Sequence, residues 1–203
     1  MPGLRIIAGQ WRGKSLLAPP GQVTRPTNIR ARQAVFDILL HAPWAGPGFI
    51  QSARVLDVFA GTGAYGLEAL SRGANFASFI ENDWDALRVL SANISACKAQ
   101  QLSNLIATDA LNPPQGIAHN LIFLDPPYGR NLVPQALDAL SKVNYFCSSA
   151  VFVSELGPTD DFAPSNPLAV RQHGKARILF WSNTPHLSSL GNPPSIAAPP
   201  QNP

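Results

Sequence analysis

This 203-residue sequence predicts an α/β fold built on a mostly parallel sheet, and three observations point to it. Between residues 54 and 156, short apolar strand segments alternate with helical ones, which implies parallel strands with helices on both faces. A glycine-rich turn follows the first of these strands and opens a helix. The last two strand segments have no helix between them, so the sheet should end in an antiparallel hairpin.

Taken in order, residues 4–17 read as two short β segments around Gly9 and Gly13, a small hairpin. Residues 18–27 (APPGQVTRPT) form a loop rich in proline and glycine. Asn28 is placed to cap a helix running to about His41, with Val35, Phe36, Ile38 and Leu39 mostly on one face. Residues 43–52 break that helix. Strands follow at Arg54–Phe59, Phe76–Ile80, Asn104–Ala107, Leu121–Leu124, Ala150–Leu156, Ala169–Gln172 and Arg177–Trp181. Helices fall near Tyr65–Arg72, Asp85–Cys97 and Val133–Lys142. The chain thus divides into a basic N-terminal extension (1–52), a main α/β domain (53–183) and a tail (184–203). The tail carries six prolines and no charge, has no helix or strand period, and reads as disordered.

Composition narrows the function classes. Hydrophobic residues make up 45%, enough for a full core, while charged residues make up 13% against roughly 25% in typical soluble domains. The apolar runs fall short of the roughly 20 residues a membrane helix needs, so no membrane partner is expected. No secretory signal is expected either, since no long apolar run follows the first charges. Cys97 and Cys147 form no spaced framework and read as reduced thiols of a cytoplasmic protein. No metal-ligand pattern stands out. Charge is uneven: residues 1–54 hold seven Lys or Arg against one acid, Asp37, and the remainder holds eight against eleven acids. A basic arm on a mildly acidic body fits a polyanionic partner.

Gly61-Thr62-Gly63-Ala64-Tyr65-Gly66 matches the GxGxxG spacing, directly after a strand. By itself it suits NAD or S-adenosylmethionine, since both need close backbone approach at the carboxyl end of the first strand. Asp57 lies four residues before Gly61, where a carboxylate suits a cationic amino-acid ligand and would repel a pyrophosphate. Glu81 ends the second strand, 24 residues after Asp57, where it can accept ribose hydroxyl hydrogens. Asp109, past the third strand, could take an adenine amino group.

The fourth strand runs into Asp125-Pro126-Pro127-Tyr128. Two prolines stop the ladder and fix a rigid turn at the carboxyl edge of the sheet. A carboxylate, a proline carbonyl and an aromatic ring there fit an aryl amine on a flat ring. The Asp125 side chain and the Pro126 carbonyl can grip its two hydrogens, and the Tyr128 ring can stack on the base.

These motifs carry a resemblance. Arg5-Ile6-Ile7-Ala8-Gly9-Gln10-Trp11-Arg12-Gly13, Arg25-Pro26-Thr27, Arg30-x-Arg32, the run from Asp57 through Gly66 and Glu68 to Gly73, and Asp125-Pro126-Pro127-Tyr128 together resemble the bacterial 16S rRNA guanine(966)-N2 methyltransferases. The resemblance covers residues 4–182. It implies a class I, Rossmann-like methyltransferase fold with a seven-stranded sheet and S-adenosyl-L-methionine as cofactor. It further implies a guanine N2 amine in the 16S rRNA of the small ribosomal subunit as acceptor; the enzyme is expected to be a monomer. Asp125, Pro126, Pro127 and Tyr128 become the catalytic set. Asp57, Phe59, Ala60, Gly61, Gly63, Glu81, Asn82, Asp109 and Ala110 become the cofactor set. Arg5, Arg12, Lys14, Arg25, Thr27, Arg30 and Arg32 become the RNA set. Gln33 departs from the family pattern, which has Glu there, and the tail is not part of the pattern. Trp11 suits either stacking on RNA or covering the core.

Other classes fit less well. A DNA amino-methyltransferase usually carries a target-recognition region, and about 50 residues outside the main domain are few for duplex readout. An NAD oxidoreductase lacks a substrate domain here, and the four His residues at 41, 119, 173 and 186 are scattered. A non-catalytic RNA-binding factor would not need both an intact glycine turn and an intact Asp-Pro-Pro-Tyr.

Overall fold

The computed structural model describes residues 4–19, 26–46, 48–164 and 167–183. Arg25, the side chain of Thr27 and the 184–203 tail lie outside the described residues. Seven strands form one sheet: β1 Arg54–Val58, β2 Phe76–Glu81, β3 Ser103–Ala107, β4 His119–Leu124, β5 Phe146–Leu156, β6 Pro167–His173 and β7 Ala176–Ser182. Their order is β3-β2-β1-β4-β5-β7-β6. The first five run parallel, and β7 pairs antiparallel with both β5 and β6. The expected hairpin therefore forms the sheet's end, with β7 inside it and β6 at the edge.

Among the described residues four α-helices cover the sheet: α1 Pro26–His41, α2 Ala64–Ser71, α3 Trp84–Ala96 and α4 Leu132–Lys142. A short 3-10 turn at Gln100–Leu102, not foreseen, precedes β3. Helix α1 begins at Pro26, two residues before the expected Asn28 cap, because proline's fixed φ suits a first helical position and its missing N–H costs nothing there. Helix α3 is capped by Asp83, whose carboxylate accepts from Ala86 N at 2.8 Å.

Strand side chains alternate between faces, so one sheet supports two apolar clusters. On one face Val55, Phe79, Phe123, Val153 and Phe180 pack with Phe36, Leu67 and Leu90 of α1, α2 and α3. On the other, Leu56, Ile80, Ile122 and Phe152 pack with Val133, Ala136 and Leu140 of α4. The near-continuous apolar strands follow from burial of the parallel strands on both sides.

The N-terminal extension joins the first of these clusters, through buried Leu4, Ile6, Leu16, Val35 and Leu39. Residues 4–17 pair antiparallel, with Ile6 N donating to Lys14 O at 2.9 Å and Leu16 N to Leu4 O at 2.8 Å, around a single Arg5–Ser15 bridge. Trp11 packs half-buried against the same cluster, which makes it a core cover in this structure. Among the described residues no helix is long and apolar enough to cross a membrane.

His119 opens β4 fully buried, its Nδ1 3.2 Å from Tyr145 O and its Nε2 2.9 Å from Ser78 Oγ. Burial lowers its pKa from 6.5 to about 4, outweighing the bond to the Tyr145 carbonyl. In that window the unfolded chain binds a proton the folded chain refuses, so the stability this group contributes is lost as pH falls. Asp57, lifted to about 7, acts oppositely over the same range, so the wild-type profile alone does not isolate the histidine. We expect the stability gap between wild type and His119→Gln, from urea unfolding, to narrow by about 2–3 kcal/mol between pH of about 7 and about 4.5. A constant gap would refute the buried neutral imidazole.

Candidate active site

The site rests on how α2 is held. Its Glu68 is fully buried in a short helix in which it is the one charged residue. Glu68 Oε2 accepts from Ile7 N at 2.7 Å, and Oε1 accepts from Ala8 N at 3.0 Å and from Arg72 Nε at 2.8 Å. Arg32 Nε of α1 stands 3.8 Å from Oε2, and its Nη2 donates to Arg5 O at 2.5 Å. One carboxylate thus ties the N-terminal hairpin and α1 to α2. Desolvation lowers the Arg32 pKa, an effect that the Glu68 charge opposes.

The end of α2 is fastened too. Ser71 Oγ donates to Ala8 O at 2.6 Å and accepts from Trp11 N at 3.0 Å. Gly9, at φ +83, lies so close that a Cβ would sit 1.8 Å from Ser71 O. Asn93 of α3, also buried, accepts from Leu17 N at 2.8 Å and donates to Thr62 O at 2.9 Å. It links the hairpin's exit to the glycine turn itself.

That turn departs from β1 with Phe59, Gly61 and Gly63 all at positive φ. A Cβ on Gly63 would strike Leu90 Cδ1 at 2.4 Å, and one on Gly66 would strike Phe79 Cε1 at 2.3 Å. Gly66 thus lets α2 lie directly on β2, and Gly63 leaves room for Leu90 of α3 against the turn. Gly61 differs: a Cβ there would meet nothing nearer than Phe59 O at 4.0 Å, so its outer side is open for a ligand.

Register explains the chemistry. Phe79, Asp57, Phe123 and Val153 form one row across β2, β1, β4 and β5. Two residues on, at the carboxyl ends, the row reads Glu81, Phe59, Asp125, Glu155. Phe59's left-handed backbone sends its ring to the opposite cluster. Three carboxylates remain in the row, with Asp57 beneath.

Their environments differ. Asp57 is buried, and its Oδ2 accepts from Gly66 N at 2.9 Å. Desolvation, with a smaller push from Glu81, raises its pKa to about 7. Glu81 accepts from Gly61 N, Asn82 N and Asp83 N, each at 2.8 Å. Asp109 is exposed and accepts from Leu111 N at 2.9 Å, a turn-forming bond. Asp125 has no hydrogen bond among the described residues. Desolvation, then the like charges of Glu155 and Asp57, raises its pKa, and its exposure to solvent moderates the first effect.

Pro126 is buried, Pro127 exposed and Tyr128 half-exposed. The Tyr128 hydroxyl donates to Glu155 Oε1. Burial and that bond hold the phenol above its ordinary pKa, so it stays a donor. Asp160 clamps the turn, accepting from Gly129 N at 2.9 Å and Gly157 N at 2.8 Å. Tyr65 of α2 stacks on Phe123, centroids 4.9 Å apart, and with Asp125 and Glu155 lines a cavity of about 10 Å³. A larger cavity of about 530 Å³, between the end of α1 and β6, holds none of the predicted site residues.

The expected cofactor and catalytic residues thus meet at the carboxyl edge of β1 to β4. The RNA set does not behave as one group. Arg32 is 2% exposed and committed to Glu68, which corrects its placement among the RNA contacts. Arg5, Arg12, Lys14 and Arg30 are exposed. The turn bearing Arg12 docks on the C-terminal end of α2, about 12 Å along that helix from the glycine turn. Gln33 donates to Asp37 on α1. Sequence reasoning gave no role to Glu68, Asn93, Glu155 or Asp160. The first two were visible as polar residues inside apolar helical stretches, and Glu155 as an acid ending a buried parallel strand.

The family described as "Conserved hypothetical protein 95" matches residues 4–179. The chain belongs to this family. It is 36% identical over 154 residues to the ribosomal RNA small subunit methyltransferase D of Escherichia coli K12, covering 75% of this chain and 74% of that one. The Haemophilus influenzae protein of the same name is 36% identical over 157 residues, covering 75% and 78%. A solved Escherichia coli structure described as a candidate methyltransferase, yhhF, superposes with a TM-score of 0.72 at 32% identity, covering 87% of this chain and 95% of that one. The family member described here has the class I methyltransferase fold, with its parallel strands and antiparallel C-terminal hairpin.

Removing the Glu68 carboxylate leaves Arg32 and Arg72 buried without their counter-charge. Glu68→Ala is expected to lower unfolding free energy by about 3–5 kcal/mol. Glu68→Gln should recover part of this, because an amide oxygen still accepts from Ile7 or Ala8. Denaturant titration measures both, and a loss under about 1 kcal/mol for Glu68→Ala would contradict the hub.

Proposed function

We propose that this chain transfers a methyl group from S-adenosylmethionine to the N2 amine of a guanine, guanine 966, in the 16S rRNA of the small ribosomal subunit. One observation carries the reading: the glycine turn and Asp125-Pro126-Pro127-Tyr128 end the adjacent parallel strands β1 and β4 within one cluster of carboxylates. The names of the relatives point the same way.

The residues fit the cofactor. The outer side of Gly61 is open, and Asp57, Glu81 and Asp125 lie at the same carboxyl edge, hydrogen-bond acceptors that suit a cationic amino-acid ligand better than a pyrophosphate. Asp57, Glu81 and Asp109 would serve its ammonium, ribose and adenine, flanked by Phe59, Ala60, Gly63, Asn82 and Ala110. Glu81 spends three acceptor positions on backbone N–H groups, and a carboxylate offers about four. Bound there, S-adenosylmethionine supplies an electrophilic methyl group on its sulfonium.

The chain's own part is orientation and charge. Asp125 and the Pro126 carbonyl hold the acceptor amine by its two hydrogens, and Tyr128 stacks on the base. The nitrogen becomes cationic as it is alkylated, and a fixed carboxylate offsets that charge. The raised pKa of Asp125 suits it to take the proton the nitrogen sheds. Exposed Arg5, Arg12, Lys14 and Arg30 supply phosphate contacts. The enzyme acts as a cytoplasmic monomer.

Calorimetric titration should show binding of S-adenosylhomocysteine and none of NAD; the reverse result overturns the cofactor assignment. In single-turnover methylation of a 16S fragment or small subunit, Asp125→Ala should abolish transfer with cofactor affinity little changed, and Asp125→Asn should keep some activity. An active Asp125→Ala enzyme would remove that residue from the chemistry. Changing Arg5, Arg12 and Lys14 together to Ala should flatten the dependence of log affinity on log salt by up to about 2, at roughly 0.7 per phosphate. An unchanged slope means that the arm touches no phosphate.

A further inference from the structure

Glu155 lies in the acceptor half of the cluster, outside both the cofactor set and the catalytic set. It follows Ser154, whose register partner on β4 is Leu124, so Glu155 and Asp125 leave neighbouring strands at the same level and on the same side. Both line one small cavity with Tyr65. The Tyr128 hydroxyl donates to Glu155 Oε1, which fixes that carboxylate beside the ring proposed to stack on the base. Glu155 Oε2 makes no hydrogen bond among the described residues.

Two acceptors side by side on one edge match a particular chemistry. The guanine Watson–Crick edge presents an N1–H donor next to its N2 amine. Adenine has an acceptor at N1, and cytosine an acceptor at N3. We propose that Glu155 determines acceptor specificity by receiving the guanine N1–H while Asp125 holds the N2 amine. This rests on the function proposed above. It also gives the Tyr128 hydroxyl a part that stacking alone does not: as a permanent donor it holds Glu155 in place. An adenine brought to the same position would set its N1 lone pair against a carboxylate, an unpaired and repulsive contact. Sites built to hydrogen-bond a group reject analogues lacking it far more strongly than apolar pockets do.

The test compares two bases that share the reacting amine. 2-Aminopurine keeps the amine at C2 but has an unprotonated, accepting N1. The full chain is assayed in single turnover on a 16S fragment carrying guanine or 2-aminopurine at the methylated position. Wild type should prefer guanine. Glu155→Gln, whose amide can donate to the 2-aminopurine N1 while still accepting from Tyr128, should lower the guanine to 2-aminopurine ratio of kcat/KM by about tenfold or more. Tyr128→Phe, which frees Glu155, should lower the ratio in the same direction by less. S-adenosylhomocysteine binding by each variant reports that the fold and cofactor half are intact. If Glu155→Gln slows both bases equally and leaves the ratio unchanged, Glu155 only braces Tyr128 and the proposal is overturned, while the guanine reading stands. If wild type methylates no guanine in the fragment or in the small subunit, both fail together.

Discussion

A single buried carboxylate, that of Glu68, sits where three parts of the chain meet. Burying a charge costs several kcal/mol unless it is paired and hydrogen-bonded. Glu68 is stable in α2 because Ile7, Ala8 and Arg72 donate to it and the Arg32 guanidinium lies close by. The dependence runs both ways. The hairpin at residues 4–17 has too little pairing of its own to persist, with one bridge and a few backbone bonds. It becomes ordered by docking on α2. The same contacts hold α2, and with it the glycine turn at its start.

Opposite demands meet at the carboxyl edge. Burial and charge density there oppose folding: desolvation, with a smaller push from Glu81, raises Asp57 to about 7, and desolvation, then the charges of Glu155 and Asp57, pushes Asp125 up. The structure tolerates this by giving nearly every acid a donor of its own. Gly66 N serves Asp57, three loop N–H groups serve Glu81, Tyr128 serves Glu155, and two glycine N–H groups serve Asp160. Asp125 is the exception. An acid without a partner, at a turn stiffened by two prolines, is the arrangement expected where a ligand completes the bonding.

The basic arm shows how far charge counting reaches. Seven Lys or Arg in the first 54 residues suggest one polyanion surface. The fold divides them. Arg32 is consumed internally by Glu68, and Arg54 lies over the Phe76 ring at 5.7 Å. Arg5, Arg12, Lys14, Arg30 and Arg54 itself stay at the surface. Composition counts charges, whereas burial decides which of them a partner can meet.

Alternating apolar runs, the glycine spacing and the double proline after β4 are local, and local sterics suffice to read them. They determined the seven strands to within a few residues, the positions of α2 to α4, and the residues at the edge of the sheet. Helices α2, α3 and α4 begin one residue earlier than read, and α1 departs most, starting at a proline whose φ suits a first helical turn. What tertiary structure alone decided was pairing across the chain. Glu68 meets Ile7 sixty-one residues away, Asn93 joins Leu17 to Thr62, and Glu155 meets Tyr128. Such partners depend on strand register and helix packing, and no window of sequence contains both ends of the contact. The sequence placed acids at strand ends by its periodicity; the order β2-β1-β4-β5 brought them into one row, because a two-residue side-chain repeat on neighbouring parallel strands turns separate spacings into a shared face.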